Sequence, residues 1–241
     1  MNNCKNCNEQ ITGNFCSNCG RPAELRRIDK HYIFYEIGDF FGANKGFLYT
    51  IKELFVSPGK SVRRFLAEDR YRFVKPITFV IITSLIYAFF ANFFQIGFKD
   101  YALQMEAPEG STVNLIMDWM YIKYPGYASI FTGLFMAFWL KLFFRKSDYN
   151  LFEIFILICF ISGITTLMMV FIAIFQGLTQ VSLVGISSIF LTFYFAWAVG
   201  QFFGEKKVRN YVIAFFSNLL GSFLLGLSIG IIGTLIDVLM S

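Results

Sequence analysis

Charge is scarce in this chain. Asp, Glu, Lys and Arg make up 15% of its 241 residues, where soluble domains carry about 25%. That shortage excludes an ordinary soluble globule. Histidine is scarcer still, with His31 the single example. A His-Glu-x2-His metal site is therefore excluded, and general-base catalysis loses its commonest residue. No apolar run carries a pair of aspartates. No catalytic constellation is recognised, and the chain is expected not to be an enzyme. The opening residues, MNNCKNCNEQ, lack an apolar run and a small-residue cleavage site. No secretory leader is expected there, and the front end is expected to stay in the cytoplasm.

What fills the chain is apolar and aromatic. Hydrophobic residues make up 56% and aromatics 20%, with 32 Phe. One small soluble core could not hide so many. From residue 77 onward the apolar runs are broken only by short polar gaps. The expected fold is an all-α polytopic membrane protein with five transmembrane helices, a small N-terminal four-cysteine zinc ribbon and amphipathic juxtamembrane helices. Its parts are residues 1–27, 28–76 and 77–241. The net charge of +5 fits membrane topology and anionic lipid better than nucleic acid.

In residues 1–27, Cys4 and Cys7 form one Cys-x2-Cys pair, and Cys16 and Cys19 another. Two such knuckles offer four sulfurs to one tetrahedral zinc ion, with Gly20 suited to the turn after the second. So short a segment cannot fold on apolar burial alone, and metal would supply most of its folding energy. Two disulfides or a redox pair are the competing readings. The first disagrees with a cytoplasmic location, and the second lacks a βαβ context. Four thiolates leave no open coordination position, so the zinc would be structural. His31 is an alternative ligand or, better, a surface residue. Cys159, inside an apolar run, reads as a small core residue.

Residues 28–76 form a basic connector. Ile33, Phe34, Ile37, Phe40 and Phe41 share one helical face. Phe47, Leu48, Ile51, Leu54 and Phe55 share a second, and Val62, Phe65 and Leu66 a third. Ser57 is placed as an N-cap and Pro58 as a first helical residue. Such helices suit a lipid interface or the ends of the spans equally well. Gly59-Lys60-Ser61 is no P-loop, because Leu54 stands where the motif requires glycine. From Ser57 to Pro76, Lys60, Arg63, Arg64, Arg70, Arg72 and Lys75 form a basic clamp where the chain enters the membrane.

The order of these stretches carries a resemblance. A first Cys-x2-Cys pair precedes Gly-Asn-Phe-Cys-Ser-Asn-Cys-Gly at 13–20. Lys-Gly-Phe-Leu-Tyr-Thr-Ile-Lys-Glu-Leu follows at 45–54 and Pro-Gly-Lys-Ser-Val-Arg-Arg-Phe-Leu at 58–66. Lys75-Pro76 then leads into a span. This resembles a bacterial membrane family catalogued as domain of unknown function 3667, closely over residues 4 to 80 and more loosely beyond. The resemblance implies zinc and membrane embedding and supplies no activity. Where that family has Glu-His opening a later span, this chain has Glu153-Ile154.

The expected spans are 77–98, 127–144, 151–175, 181–203 and 211–240. More than half of the 21 Lys and Arg precede the first, and others follow the second and fourth. The positive-inside rule then puts the N-terminus inside and the C-terminus outside. Ser111 is placed as the cap of a helix in the first outer loop, with Val113, Ile116, Met117, Met120 and Tyr124 on one face. Glu153 and Asp237 are the intramembrane carboxylate candidates. Lys141 or Arg145 is the expected partner of Glu153, and water that of Asp237. Asn218, Ser222, Gly226, Gly230 and Thr234 form a small-residue stripe for helix packing or a homo-oligomer seam.

Three functions remain. The preferred one is a non-enzymatic scaffold or regulator whose zinc ribbon engages a cytoplasmic protein partner. The alternative is a small transporter or channel, alone or as a dimer. A membrane-embedded enzyme ranks third.

Overall fold

The computed structural model describes Cys4, Cys7, residues 9–10, Gly13, residues 15–20, 46–96, 111–181 and 183–240. His31 and the apolar face at 33–41 lie outside the described residues. The chain divides into two compact units, 1–40 and 41–241. In the first, the described residues form turns at Cys7 and 17–19, with lone bridge residues at Gln10 and Phe15. The Cys4 amide donates to the Glu9 carbonyl at 2.8 Å, and the Gly20 amide to the Cys16 carbonyl at 2.9 Å. Gly20 has φ +71°, the left-handed conformation that glycine adopts without strain.

The described part of the second unit is helical. Helix α1 spans Phe47–Val56 and α2 Pro58–Ala67. Gly46 enters α1 at φ +83°, and a Cβ there would lie 2.8 Å from the Arg72 carbonyl oxygen. Pro58 separates the two helices. It cannot donate to the Leu54 carbonyl four residues back, and its fixed φ opens α2. Ser57 occupies the N-cap position, but its side chain makes no cap hydrogen bond. It lies 3.4 Å from the Ser61 hydroxyl instead.

Among the described residues, five helices are long and apolar enough to cross a membrane. They are α3 (Pro76–Phe93), α5 (Pro125–Phe143), α6 (Leu151–Thr179), α7 (Val184–Gly204) and α8 (Val208–Met240). Between α3 and α5 lie α4 (Thr112–Asp118) and a π-helical turn, Trp119–Lys123. Ser111 does cap α4, accepting from the Asn114 amide. The second, fourth and fifth span boundaries lie within three residues of the expected ones. The first helix ends earlier, at Phe93 rather than 98, and the third runs on to Thr179.

Helix α6 is the centre of the bundle. It packs on α3, α5, α7 and the α1–α2 pair. Within its apolar window 56% of residues are buried, against 17% for α8, which therefore shows most of its surface to the surroundings. Phe160 of α6 gathers the rings of Phe65, Phe73 and Phe79 at centroid distances of 5.1, 6.2 and 6.1 Å. This aromatic knot joins α2, the turn after it and α3 to the same end of the bundle, called here the near end. Gly163 allows it, since a Cβ there would meet the Phe79 ring at 2.4 Å.

Candidate functional site

Cys4, Cys7, Cys16 and Cys19 bring their four sulfurs within 4.8 Å of one another. Cys4 and Cys19 stand 3.5 Å apart, as do Cys7 and Cys16. These separations are too long for disulfides, and none forms. Four sulfurs on a tetrahedral ion at ~2.3 Å would be separated by ~3.8 Å, so the cluster fits such an ion with small adjustments. Cys4 and Cys16 are buried; Cys7 and Cys19 are half-buried. A hydrogen bond with the Glu9 backbone lowers the Cys7 thiol pKa. Burial and the neighbouring thiols of Cys16, Cys19 and Cys4 outweigh it and push the value up to about 12. The cluster can therefore hold a metal ion, which must displace protons to bind.

The connector helices bind the spans. Apolar burial alone would not distinguish spans from lipid, because a bilayer receives an apolar helix face equally well. The polar contacts decide it. Arg63 Nη1 donates to the Phe202 carbonyl at 2.9 Å and also to the Gln201 carbonyl. Both lie in the last turn of α7, where carbonyls lack helical partners and the helix dipole is negative. Gln201 Oε1 in turn accepts from the Lys60 amide in the first turn of α2, at 3.2 Å. Lys60 pairs with Glu205 just past α7, at 2.5 Å. That pair, with Arg63 and Lys206 nearby, holds the Glu205 carboxyl below its ordinary range. The Tyr194 hydroxyl donates to the Leu54 carbonyl at 2.8 Å, and Tyr194 is buried.

Gly59 permits this contact. A Cβ on it would lie 2.3 Å from the Phe202 amide nitrogen and 2.5 Å from the Ala198 carbonyl oxygen. The Gly59-Lys60-Ser61 run is thus a helix-docking element. Within the clamp, Arg64 donates to Glu53 at 2.6 Å and to the Tyr49 hydroxyl at 2.9 Å. Its guanidinium lies 5.5 Å from the Phe73 ring centre. Thr50, fully buried, accepts from the Val74 amide at 3.1 Å, closing the turn between α2 and α3.

The two carboxylate candidates have partners within the chain. Glu153 forms a capping box at the start of α6: its carboxylate accepts from the Asn150 amide at 2.8 Å, and Asn150 Oδ1 accepts from the Glu153 amide at 2.9 Å. The expected pairing with Lys141 or Arg145 is not among the ion pairs of the described residues. Lys141 is used elsewhere, donating to the carbonyls of Ser147 and Tyr149 at 3.3 and 2.6 Å. Asp237, expected to reach water, caps α4 from α8. It accepts from the Thr112 amide at 3.0 Å and from the Thr112 hydroxyl.

The small-residue stripe is not the face that α8 turns toward the rest of its own chain. The face of α8 that packs carries Ser217, Gly221, Ile229 and Gly233, each one residue before a stripe position and so about 100° round the helix. Close approach occurs at Gly221, where a Cβ would meet the Met136 sulfur at 2.7 Å, and at Gly233, where it would meet Val113 at 2.5 Å. A Cβ on Gly230 would meet no neighbouring helix or side chain within 4 Å. Both faces hold small residues, so residue size alone does not choose between them. Gly226-Leu227-Ser228-Ile229-Gly230 also has the Gly-x-Ser-x-Gly spacing of a hydrolase elbow, which sequence reasoning overlooks. It lies inside α8, where the Ser228 hydroxyl donates back to the Leu224 carbonyl at 2.8 Å. The strand-to-helix turn that exposes such a nucleophile is missing there.

Sequence reasoning anticipated the four close thiols. It missed Tyr194, Gln201 and Glu205, the α7 side of the docking. Pro58 was the available signal, since it leaves the Leu54 carbonyl needing a donor from elsewhere. No curated protein and no solved structure matches the chain. Residues 44–88, which hold α1, α2 and most of α3, match the family described as Protein of unknown function (DUF3667), the one whose motifs this sequence resembles.

Proposed function

We propose that this integral membrane protein is a non-enzymatic regulator or scaffold whose front module engages a cytoplasmic protein partner. In this reading Cys4, Cys7, Cys16 and Cys19 hold one structural zinc ion, which folds the module and does no chemistry. The protein lies in the cell membrane, with the near end and N-terminus cytoplasmic and the C-terminus outside. Lys60, Arg63, Lys141, Arg145, Lys206 and Lys207 all fall toward the near end, which supports that orientation. The bilayer is its constant partner, and the exposed surface of α8 suits a second copy. Nucleic acid is disfavoured.

One observation carries the reading. The α1–α2 pair grips the end of α7 through Arg63, Lys60 and Tyr194. A force arriving along the chain from the front module would therefore meet the spans before it met lipid. The test is a photocrosslinking residue at Phe15, which is exposed, in cells carrying the full chain. The expected result is a discrete protein adduct that Cys16→Ser abolishes. No adduct, or one indifferent to Cys16→Ser, would sink the proposal. So would a solute-specific flux in liposomes lost on Glu153→Gln.

A transporter or channel is the second reading, favoured by a cavity among the spans lined in part by hydroxyls. Its test is solute flux through the reconstituted wild type.

A further inference from the structure

Helices α5, α6, α7 and α8 enclose a cavity of about 370 Å³, with Tyr87 of α3 on its wall. Ser162 and Asn218 lie eleven and ten residues into α6 and α8, or roughly 15 Å from the near end at 1.5 Å per residue. That is about half the ~30 Å depth of a bilayer's hydrocarbon core.

The wall is divided by chemistry. Ser129, Ser162, Thr166, Asn218 and Ser222 line it, and none of their side chains hydrogen-bonds to the described residues. Met120, Met136, Phe195 and Leu225 supply an apolar remainder. Ser162, Thr166, Asn218 and Ser222 lie ten or more residues into their helices, and hydroxyls and a carboxamide held within the membrane without partners are costly. Thr165 shows the inexpensive solution, bonding its hydroxyl back to the Ile161 carbonyl at 2.9 Å. The other groups stay available for something in the cavity.

That something carries no charge, because the lining includes no acidic, basic or histidine side chain. It can both donate and accept, as hydroxyls and carboxamides do. Its route is marked by Ser222, which lines the cavity yet is exposed. Leu219, Phe223 and Leu227 beside it on α8 are exposed and apolar. On the Ser222 side the cavity therefore opens toward hydrocarbon, while Met120 and Ser129 carry its lining up to the far end of the bundle.

We propose that this cavity binds the head of an uncharged membrane lipid of the diacylglycerol class. The lipid's free hydroxyl and ester carbonyls pair with Asn218, Thr166 and Ser162, and its chains leave past Ser222. The proposal stands whether or not the front module engages a partner.

The test uses full-length protein in nanodiscs and a photoreactive diacylglycerol, with labelled peptides located by mass spectrometry. Labelling is expected to concentrate at 162–169 and 218–225. Unlabelled dioleoylglycerol should compete, and dioleoyl phosphatidic acid at equal concentration should not. Thr166→Val and Asn218→Leu should each cut labelling about fivefold, the effect of one net hydrogen bond. Neither variant should melt earlier than wild type without added lipid, because neither removes a bond within the chain. Labelling spread evenly over the lipid-facing helices overturns the proposal. So does equal competition by phosphatidic acid, or full competition by glycerol alone, which would mark a small-solute site. Unchanged labelling in both variants overturns it as well. The competition arm uses wild type only, so misfolding of a variant leaves the test intact.

Discussion

Tyr194 donates its hydroxyl to the backbone carbonyl of Leu54 across 2.8 Å, between a span and a juxtamembrane helix. The bond has a cause in the sequence. In a continuing helix the Leu54 carbonyl would accept from residue 58, but Pro58 has no N–H. Leu54 is fully buried, so water cannot take its place. Tyr194 supplies the missing donor, and the break between α1 and α2 becomes the point at which they are tied to α7.

Tyr194→Phe should therefore cost about 1–3 kcal/mol, the cost of leaving a buried carbonyl unsatisfied. The ring stays, so packing is preserved. Thermal unfolding in detergent would show the loss, and limited proteolysis should cut the 57–75 segment sooner. A variant as stable and as resistant as wild type would mean the bond contributes nothing.

Gly59→Ala should be worse, although it adds a single methyl group. The obstacle is the backbone of α7 at Ala198 and Phe202, which cannot turn aside as a side chain can. Overpacking of this kind costs about 1–3 kcal/mol or more, and here it acts by lifting α2 off its seat. A cysteine pair introduced across α2 and α7 should crosslink in the wild-type background and fail to do so in the Gly59→Ala background. Equal crosslinking in both would contradict the docking.

The Lys60–Glu205 pair is exposed on both sides, so its contribution should be the smallest of the three and salt-sensitive. Its pH dependence has a fixed sign. The folded-state pKa of Glu205 lies below its ordinary value of 4.5, chiefly through the hydrogen bond from Lys60. The contribution is then fully present above that value and is lost as pH falls through the depressed one. The melting difference between wild type and Glu205→Gln should stay constant from neutral pH down to about 4.5 and shrink below it. A difference that grows on acidification would reverse the assignment.

Much of this was legible because different signals agree. Five apolar runs of the right length need no tertiary information to be seen as spans, and Cys-x2-Cys pairs announce their own geometry. The docking was not legible, because its α7 partners are a Tyr, a Gln and a Glu with no pattern connecting them to residues 54–63. They meet only because α7 returns to the near end, as the alternation of spans dictates. The face that α8 packs within its own chain was not legible for another reason. Its apolar residues are spread all round the helix, and both adjacent faces contain glycine or serine, so nothing local marks one as inward. What selects the face is Met136 on α5 and Val113 on α4, information held elsewhere in the chain.

For the thiol cluster, protons and metal compete. Cys7 without metal has its pKa pushed up to about 12, so at neutral pH the thiol is protonated and zinc must displace that proton. Each proton released makes apparent affinity fall about tenfold per unit of acidification. Purified protein is expected to hold one zinc per chain, to release protons when zinc is added to the apo form, and to lose zinc as pH falls. Cys16→Ser should abolish stoichiometric metal. Zinc content unchanged in that variant would show the four-thiol site to be wrong.

Glu153 separates a structural role from a functional one. Its carboxylate caps the Asn150 amide at the start of α6, and Asn150 returns the bond. Glutamine can occupy the same position of a capping box, whereas alanine at the cap residue cannot. Asn150→Ala should then cost about 0.5–2 kcal/mol, while Glu153→Gln should leave the melting point near that of wild type. If Glu153 instead carries protons or ions through the bilayer, the order inverts. Glu153→Gln would abolish flux in liposomes without touching stability, and Asn150→Ala would lower stability while flux persisted. The same two variants, each measured for melting and for flux, distinguish a capped helix end from a conducting carboxylate. The reciprocal bonds to Asn150 favour the first, because they commit the carboxylate to holding the end of α6.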